Sequence, residues 1–222
     1  MIFNEQSAKM IAQFLLQIKA IKLETHKPFT WSSGLKSPIY CDNRVILSYP
    51  NIRNHVVNHL SKEIEYKWGL PNAIIGVATG AIGIGALVAN QLSVPFAYVR
   101  PQPKKHGRKN QVEGKIENHS DVIVIEDLIS TGKSSLEAVD AIHKSIDVNI
   151  KAVAAIFDYG FDNTKNRFEN HQIDYCSISD YNHLIDQAYQ TNYLSKSDFN
   201  LLKKWRQDPE NWVNNLNYGI KD

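Results

Sequence analysis

The sequence predicts an α/β fold built on a parallel, doubly wound sheet. Four short runs have the apolar content and the length of buried strands: residues 73–77, 96–100, 122–125 and 151–157. Helical patterns lie between them, at residues 84–92 and from Ser134 onward. Strands that alternate with helices along a chain form parallel sheets with helices on both faces. This alternation therefore predicts the doubly wound arrangement.

Length and composition indicate one globular domain. The chain has 222 residues, enough for a substantial core. Charged residues make up 22% and hydrophobic residues 43%, and the formal net charge of +2 indicates neither a nucleic-acid partner nor a membrane surface. The two cysteines, Cys41 and Cys176, form no metal-ligand spacing. We expect a single domain over residues 1–222, with a core at about 50–180.

No targeting or membrane segment is apparent in the sequence. The amino-terminal residues lack the pattern of a signal peptide, and no apolar stretch approaches the length of a membrane span. A secreted disulfide scaffold would carry more cysteines. We therefore expect a cytoplasmic protein that binds neither nucleic acid nor membranes.

The residues before the core, about 1–48, predict a helix followed by a hairpin, which we call the hood. Asn4 can cap a helix that runs to about Ile21. Its predicted buried face is Ala8, Ile11, Ala12, Leu15 and Ile18. Residues 29–31 and 39–41 have the composition of two short strands, and Ser32, Ser33 and Gly34 between them favour a turn. The two strands are expected to pair with each other.

The remaining helices follow from capping residues and apolar spacing. Pro50 suits the first turn of a helix whose predicted buried stripe is Ile52, Val56, Val57, Leu60 and Ile64. Residues 175–178 are consistent with a strand, and residues 180–190 and 195–205 predict two helices in the carboxyl-terminal part, about 180–222.

Residues 122–135 combine a strand with ligand-binding chemistry. Glu126 and Asp127 follow the apolar run, a loop of small and hydroxyl residues comes next, and a helix opens at Ser134. The free N–H groups of such a loop and the positive end of the helix dipole suit a phosphate. The two carboxylates would suit the hydroxyls of a ribose. The alternative is that the two acids are a solvated strand end.

The tail of this stretch also resembles a nucleoside-triphosphate loop. Gly132, Lys133 and Ser134 match the end of the pattern Gly-x-x-x-x-Gly-Lys-Ser. That pattern requires glycine at position 127, where this chain has Asp127. A carboxylate at that point argues against a triphosphate.

Two further connections suit anions. Residues 78–83 join a strand to a helix through two glycines and a small hydroxyl, which allows close approach of an anion or forms an ordinary turn. The connection of residues 101–120 is long for a compact domain, as lids and binding loops often are. From Arg100 to Lys115 there are six lysines and arginines, and also His106, against the one acid Glu113. This charge suits a pyrophosphate, although charge runs are usually just solvated.

Three stretches together resemble one enzyme family. Residues 122–135 resemble the 5-phosphoribosyl 1-pyrophosphate (PRPP) signature of type I phosphoribosyltransferases. Residues 29–44 resemble the amino-terminal signature of orotate phosphoribosyltransferases, and residues 100–107 resemble the mobile catalytic loop of that family. The similarity runs, with gaps, over residues 29–159. It implies the type I phosphoribosyltransferase fold with a small amino-terminal hood.

The resemblance implies a site, residue by residue. The catalytic residues would be Lys104, His106, Glu126 and Asp127. PRPP would be bound by these four and by Arg100, Leu128, Ile129, Ser130, Thr131, Gly132, Lys133 and Ser134. The pyrophosphate loop would be Ala78, Thr79, Gly80 and Ala81. Orotate would be bound by Lys36, Tyr40, Cys41, Arg44 and Ser130.

The resemblance also implies the reaction and its partners. The 5-phosphoribosyl group of PRPP would pass to orotate, giving orotidine 5-monophosphate and pyrophosphate. Mg²⁺ would be the cofactor, held mainly by PRPP and water, because this ion keeps several water ligands. The chain would form a homodimer in which the catalytic loop reaches into the neighbouring subunit's site.

Three positions depart from the commonly described pattern of that family. Two lysines are replaced, by Ser32 in the hairpin turn and by Pro101 in the catalytic loop. The arginine that contacts orotate aligns with Tyr159. The orotate carboxylate still needs a partner, and Arg44 is the candidate. The alternative for Arg44 is a surface ion pair.

Three other functions compete with this interpretation. A purine phosphoribosyltransferase of the same fold is disfavoured by residues 29–44. A nucleotide-sensing regulator would usually add a nucleic-acid-binding element, for which the sequence shows neither a separate domain nor a basic face. A P-loop kinase would require the glycine that Asp127 replaces.

Overall fold

The computed structural model describes residues 1–31, 34–102 and 111–212. It begins with helix α1 (Glu5–Gln17), and the side chain of Asn4 accepts hydrogen bonds from the N–H groups of Gln6 and Ser7. The predicted cap and the predicted buried face are confirmed. The predicted end near Ile21 is wrong. The chain turns at Lys19, where φ is 56°, and Ile21 starts a strand.

The hood contains two small antiparallel sheets. Strand β1 (Ile21–Leu23) pairs with β4 (Ile39–Cys41), and β2 (Phe29–Thr30) pairs with β3 (Lys36–Ser37). Both predicted hairpin strands exist, but the prediction that they pair with each other is wrong. A tight turn, in which the N–H of Trp31 donates to Leu35 O at 2.9 Å, brings β3 against β2. Strand β4 therefore pairs with β1.

A 3-10 helix (Asn43–Ser48) leads from the hood into helix α2 (Pro50–Trp68). Pro50 lies in the first turn of α2, where its missing N–H is not needed. The predicted stripe of five apolar side chains is buried, as expected.

The centre of the molecule is a six-stranded sheet. Its strands are β5 (Ala73–Val77), β6 (Phe96–Val99), β7 (Val112–Glu113), β8 (Ser120–Ile129), β9 (Val148–Asp158) and β10 (Asp174–Asp180). Their order in space is β10-β9-β8-β5-β6-β7. All neighbours are parallel except β6 and β7, which are antiparallel. The predicted parallel sheet is confirmed. The edge strand β7, inside the long polar connection, was not predicted.

After α2, the described residues contain five further helices: α3 (Ile82–Leu92), α4 (Lys133–Ser145), α5 (Asp162–Asn170), α6 (Tyr181–Gln190) and α7 (Lys196–Gln207). The two predicted carboxyl-terminal helices correspond to α6 and α7, capped by Asp180 and Ser195. Helix α5 was missed. Its sequence buries only Thr164 and Phe168, too few apolar side chains for a periodic pattern.

Alternate residues of the strands face two cores. In β8, Ile123 and Ile125 pack with α1, α2, α3 and α6, whereas Val122 and Val124 pack with α4. Helices therefore cover both faces of the sheet, as the doubly wound prediction requires. Within the described ranges, no helix is long and apolar enough to cross a membrane.

Candidate active site

The site lies where the strand order of the sheet reverses. β6, the next strand along the chain, lies on one side of β5, whereas β8 lies on the other. The helices after β5 and β8 pack on opposite faces. A crevice therefore opens at the carboxyl edge between these strands, where open α/β sheets bind ligands. Residues 78–81 follow β5 and residues 130–132 follow β8 at that edge.

The strand carrying the acidic pair is longer than predicted. β8 continues through Ile129, so Glu126 and Asp127 lie inside the strand and not after it. The predicted phosphate loop shortens accordingly, because α4 already begins at Lys133. Leu128 and Ile129 pair with Phe157 and Asp158 of β9.

Glu126 is 5% exposed and lies beneath the start of α4. Its Oε1 accepts a hydrogen bond from the backbone N–H of Asp127 at 3.1 Å, and its Oε2 accepts one from the Ser135 hydroxyl at 3.0 Å. Burial, and then the adjacent Asp127 carboxylate, raise the pKa of Glu126 well above its ordinary value. Both carboxylate oxygens of Glu126 thus accept hydrogen bonds from the protein itself. A contact between Glu126 and ribose stays a prediction.

Asp127 faces the loop that follows β5. A Cβ atom on Gly80 would overlap the Asp127 carboxylate, so only glycine leaves room there. The loop is anchored to the sheet because the N–H of Ala78 donates to Val99 O at 2.8 Å. The next residue, Thr79, is exposed. The structure therefore brings Asp127 and the predicted pyrophosphate loop together.

Helix α5 holds the loop that follows β8 by donating hydrogen bonds to the carbonyl groups of that loop. The Thr164 hydroxyl donates to Ser130 O at 2.6 Å, and Nη1 of Arg167 donates to Thr131 O at 2.9 Å. Neither donor was predicted. Both belong to a polar helix without a periodic pattern, and only the folded chain brings that helix to the loop.

Gly132 makes the turn into α4. Its φ of 74° lies in the left-handed region, and a Cβ atom there would press on the ring of Phe168. Glycine has no side chain that could cap the helix, so the N–H groups of the first turn remain available to a ligand. Lys133 and Ser134 are exposed on that turn, with Lys133 Nζ 3.8 Å from Glu137 Oε1.

Asn43 connects the hood to the acidic pair and was not predicted. Its Nδ2 donates to the backbone oxygen of Asp127 at 2.6 Å. Its Oδ1 accepts a hydrogen bond from the Cys41 thiol at 3.4 Å. Burial, and then the carboxylates of Asp127 and Asp42, raise the pKa of that thiol well above its ordinary value. Cys41, a predicted orotate residue, therefore lies close to Asp127.

Other predicted orotate residues lie on the hood surface. Lys36 Nζ donates to the Thr30 hydroxyl at 2.7 Å. Tyr40 is 41% exposed, and its ring centroid lies 5.6 Å from that of Phe29. Their contacts with orotate stay predictions.

Arg44 forms a two-point ion pair with Asp42. Its Nε and Nη2 donate to the two carboxylate oxygens at 2.6 and 2.9 Å. The hydrogen bond from Arg44 lowers the pKa of Asp42. The sequence left two alternatives for Arg44, an orotate contact and a surface ion pair, and the structure shows the ion pair. Its two-point geometry would also suit the carboxylate of orotate, and that contact stays a prediction.

Tyr159 lies in an aromatic cluster that joins the hood to the carboxyl-terminal helix. It is 1% exposed, and its ring centroid lies 5.1 Å from that of Trp31 and 6.1 Å from that of Trp205. Burial raises the pKa of its hydroxyl well above the ordinary value, and neighbouring Cys41 raises it further. Arg206 of α7 donates to the backbone oxygens of Tyr159 and Gly160. The position aligned with an arginine is thus an aromatic support.

The basic connection enters the described structure only at its ends. Arg100 donates its N–H to Gln111 O at 2.9 Å, and its guanidinium lies 3.6 Å from a Glu113 carboxylate oxygen. Lys104 and His106, like Ser32, lie outside the described residues. Their proposed roles stay predictions.

Comparison with known proteins identifies the family. Residues 45–184 match the family model described as the phosphoribosyl transferase domain. The chain is 47% identical over 204 residues to orotate phosphoribosyltransferase of Porphyromonas gingivalis, covering 92% of this chain and 97% of that protein.

Solved structures support the same fold. Orotate phosphoribosyltransferase from Aeropyrum pernix is similar with a TM-score of 0.70 at 26% identity, over 84% of this chain and 100% of that chain. Leishmania donovani UMP synthase is similar with a TM-score of 0.77 at 22% identity, over 90% of this chain, which spans 42% of that chain. The chain belongs to the orotate phosphoribosyltransferase family.

Proposed function

We propose that the chain transfers the 5-phosphoribosyl group of PRPP to orotate, giving orotidine 5-monophosphate and pyrophosphate. The observation that carries this proposal is the 47% identity, over nearly the whole length, to a protein named for that reaction. The geometry is consistent with it. A partly exposed carboxylate, a close-packed glycine loop and an open helix terminus meet at one edge of the sheet.

The 5-phosphate would bind at the start of α4. Ser130, Thr131, Gly132, Lys133 and Ser134 would offer backbone N–H groups and hydroxyls there. The positive end of the α4 dipole favours an anion. Because α5 engages the carbonyls of Ser130 and Thr131, the loop is held in a conformation that leaves the helix terminus open.

The ribose would lie over Asp127. As pyrophosphate leaves, the ring gains positive character, and a fixed carboxylate beside it stabilises that charge. Glu126 would act from its buried place beneath α4. In that position its hydrogen bonds to Ser135 and to the Asp127 N–H orient the neighbouring carboxylate.

The leaving pyrophosphate would bind against Ala78, Thr79, Gly80 and Ala81. Gly80 allows the backbone to come close to both Asp127 and the ligand. Arg100, Lys104 and His106 would neutralise the charge that develops on the leaving group and exclude water from the ring.

Orotate would enter between the hood and the sheet. Lys36, Tyr40, Cys41 and Arg44 are its proposed contacts on the hood, with Ser130 opposite. Arg44 would exchange its Asp42 partner for the orotate carboxylate, or share it between the two. Tyr159 would support the hood through its ring contact with Trp31.

Mg²⁺ fits this site as an ion carried by the substrate. Within the described ranges, no cluster of three or more His, Cys, Asp or Glu could hold a metal. Both Glu126 oxygens are engaged, so Asp127 is the carboxylate left for an ion. Mg²⁺ accepts such sites because it keeps water and phosphate ligands. When bound, it would offset the negative charge of the pyrophosphate.

The test is direct. Protein, PRPP, Mg²⁺ and orotate are mixed, and the loss of orotate absorbance is followed. We expect consumption of orotate that requires both PRPP and Mg²⁺. Parallel reactions with adenine, hypoxanthine and xanthine serve as controls. Consumption of a purine base without consumption of orotate would show that the proposed base is wrong.

A further inference from the structure

The amide of Asn43 occupies a place where the central sheet is incomplete. β5 pairs with β8 only as far as Gly76 and Ile125, so beyond that point the described residues provide β8 with no neighbouring strand on this side. On the other side, Glu126 and Leu128 pair with β9, whereas Asp127 has no partner in that register. Asn43 Nδ2 donates to the Asp127 backbone oxygen at 2.6 Å. It supplies a hydrogen bond that a neighbouring strand would otherwise provide.

The orientation of this amide is set by its neighbours. A backbone oxygen can only accept, so the nitrogen of the amide must face Asp127. The oxygen then faces the Cys41 thiol, which donates to it at 3.4 Å. Asn43 is 2% exposed, so water does not compete for either contact. One buried side chain thus ties the base-binding hood to the backbone of the acidic pair.

The side chain of Asp127 also packs closely against the loop that follows β5. The Asp127 carboxylate lies against Gly80, with no room for even one more carbon atom. A shift of the Asp127 backbone would therefore move the carboxylate against the loop or away from it. Small displacements of a group that acts on the reacting atoms reduce turnover strongly.

We propose that Asn43 is a positioning residue, which sets the Asp127 carboxylate for the ribose through its hydrogen bond to the Asp127 backbone. The inference rests on the proposed function, because it concerns the turnover of that reaction. It predicts that removal of the amide lowers kcat and leaves the KM for orotate within about threefold of the parent. The expected loss in kcat is about tenfold to a hundredfold.

The decisive experiment is a double-mutant cycle with Asn43→Ala and Asp127→Asn. If Asn43 acts through Asp127, its removal should matter little once that carboxylate is gone. We expect the tenfold or larger effect of Asn43→Ala to shrink to within about twofold in the Asp127→Asn background. Equal effects in the two backgrounds would overturn the proposal, as would parent-like kcat in Asn43→Ala.

A matched control lies at the other end of the same strand. Asn149 also donates through Nδ2 at 2.6 Å, to the Asp121 side chain at the amino end of β8. Asn149→Ala should keep the kcat and KM of the parent. If it lowered kcat as Asn43→Ala does, the effect would report general loosening of β8 and the proposal would fail.

A second variant covers failure of the first to fold. Asn43→Asp keeps the size of the side chain and an acceptor for Cys41 but loses the donor, and thermal unfolding checks both variants. Failure of both to fold would overturn the proposal, since Asn43 would then be structural. The parent's own turnover separates the two claims. If the parent did not turn over orotate, the proposed function would be overturned as well. If the parent were active and the effects of the two substitutions on kcat were additive, only the role of Asn43 would be overturned.

Discussion

Two adjacent carboxylates have different surroundings because they are neighbours on a strand. Successive side chains of a strand point to opposite faces. Glu126 therefore lies beneath α4, bonded to Ser135, while Asp127 lies against Gly80 at the crevice. Had the strand ended at Ile125, as the sequence suggested, both acids would belong to a loop. The longer strand is what gives them separate surroundings.

Asp127→Asn should lower turnover by about a hundredfold, because it removes the charge that stabilises the cation-like ring while keeping the shape of the side chain. Steady-state kinetics with orotate and PRPP would measure this. Asp121→Asn is the control, since Asp121 lies at the amino end of the same strand and is partly exposed. Near-parent kinetics in Asp127→Asn would leave the acidic pair without a catalytic role.

Glu126 should make stability depend on pH. Burial raises its pKa in the folded protein, whereas an unfolded glutamate titrates at about 4.3. The folded state thus binds this proton more tightly, so the contribution to stability is full below the unfolded pKa. It is lost as pH rises through the folded pKa.

Glutamine copies the neutral form of Glu126, so Glu126→Gln should escape this loss. The Tm of the variant relative to the parent should increase as pH rises above about 4.3. Thermal unfolding over a pH series measures the difference. Glu137→Gln, on an exposed side chain of α4, is the control and should vary less. A Tm difference that is independent of pH would contradict the argument.

At the scale of elements, α5 is the helix that supports the loop after β8, the proposed phosphate loop. Its Thr164 and Arg167 hold two loop carbonyls, and its Phe168 packs against Gly132. The helix itself is polar, with Asp162 in its first turn and few buried side chains. Its contribution to the site therefore comes from where it docks and not from any motif.

Gly80→Ala should impair the site at the level of a loop. The added carbon would overlap the Asp127 carboxylate, so the loop that follows β5 must move away from strand β8. We expect kcat to fall by about tenfold or more, measured by the orotate assay. Gly83→Ala is the matched control three residues on, since its added carbon meets the end of the flexible Leu47 side chain, which can move aside. Equal kinetics in the two variants would contradict this packing argument.

At the scale of the whole molecule, the hood and the last described helix meet at the end of β9. Trp31 from the hood, Tyr159 after β9 and Trp205 from α7 form one aromatic cluster. Arg206 adds hydrogen bonds from α7 to the backbone after β9. This cluster thus ties the hood and α7 to the end of β9.

A shared site in a homodimer makes a prediction about mixed subunits. Lys104→Ala and Asp127→Asn chains should each be nearly inactive. If Lys104 acts in the neighbouring subunit's site, a mixed dimer has one site with both residues intact, and activity should reappear on subunit exchange. The orotate assay after mixing measures this. No recovery despite demonstrated exchange would place Lys104 in its own subunit's site, and a monomer in solution would exclude sharing.

The sequence by itself determined the class of the fold, and it identified the residues that we propose for the crevice. The run from Val122 to Ile125 and the alternation of strands and helices predicted the parallel sheet, because burial on both faces requires continuous apolar strands. The cap at Asn4 was readable because it depends on local hydrogen bonds. The acidic pair and the loop at Ser130 were readable because their chemistry is contiguous along the chain.

Only the tertiary structure decided which distant groups meet. The pairing of β1 with β4, the docking of α5 on the phosphate loop and the bond from Asn43 to Asp127 all join residues far apart in sequence. Each depends on packing geometry, for which no local pattern exists. The same holds for Glu126, whose burial beneath Ser135 follows from where α4 lies on the sheet. Local chemistry identified the acids, and packing assigned their surroundings.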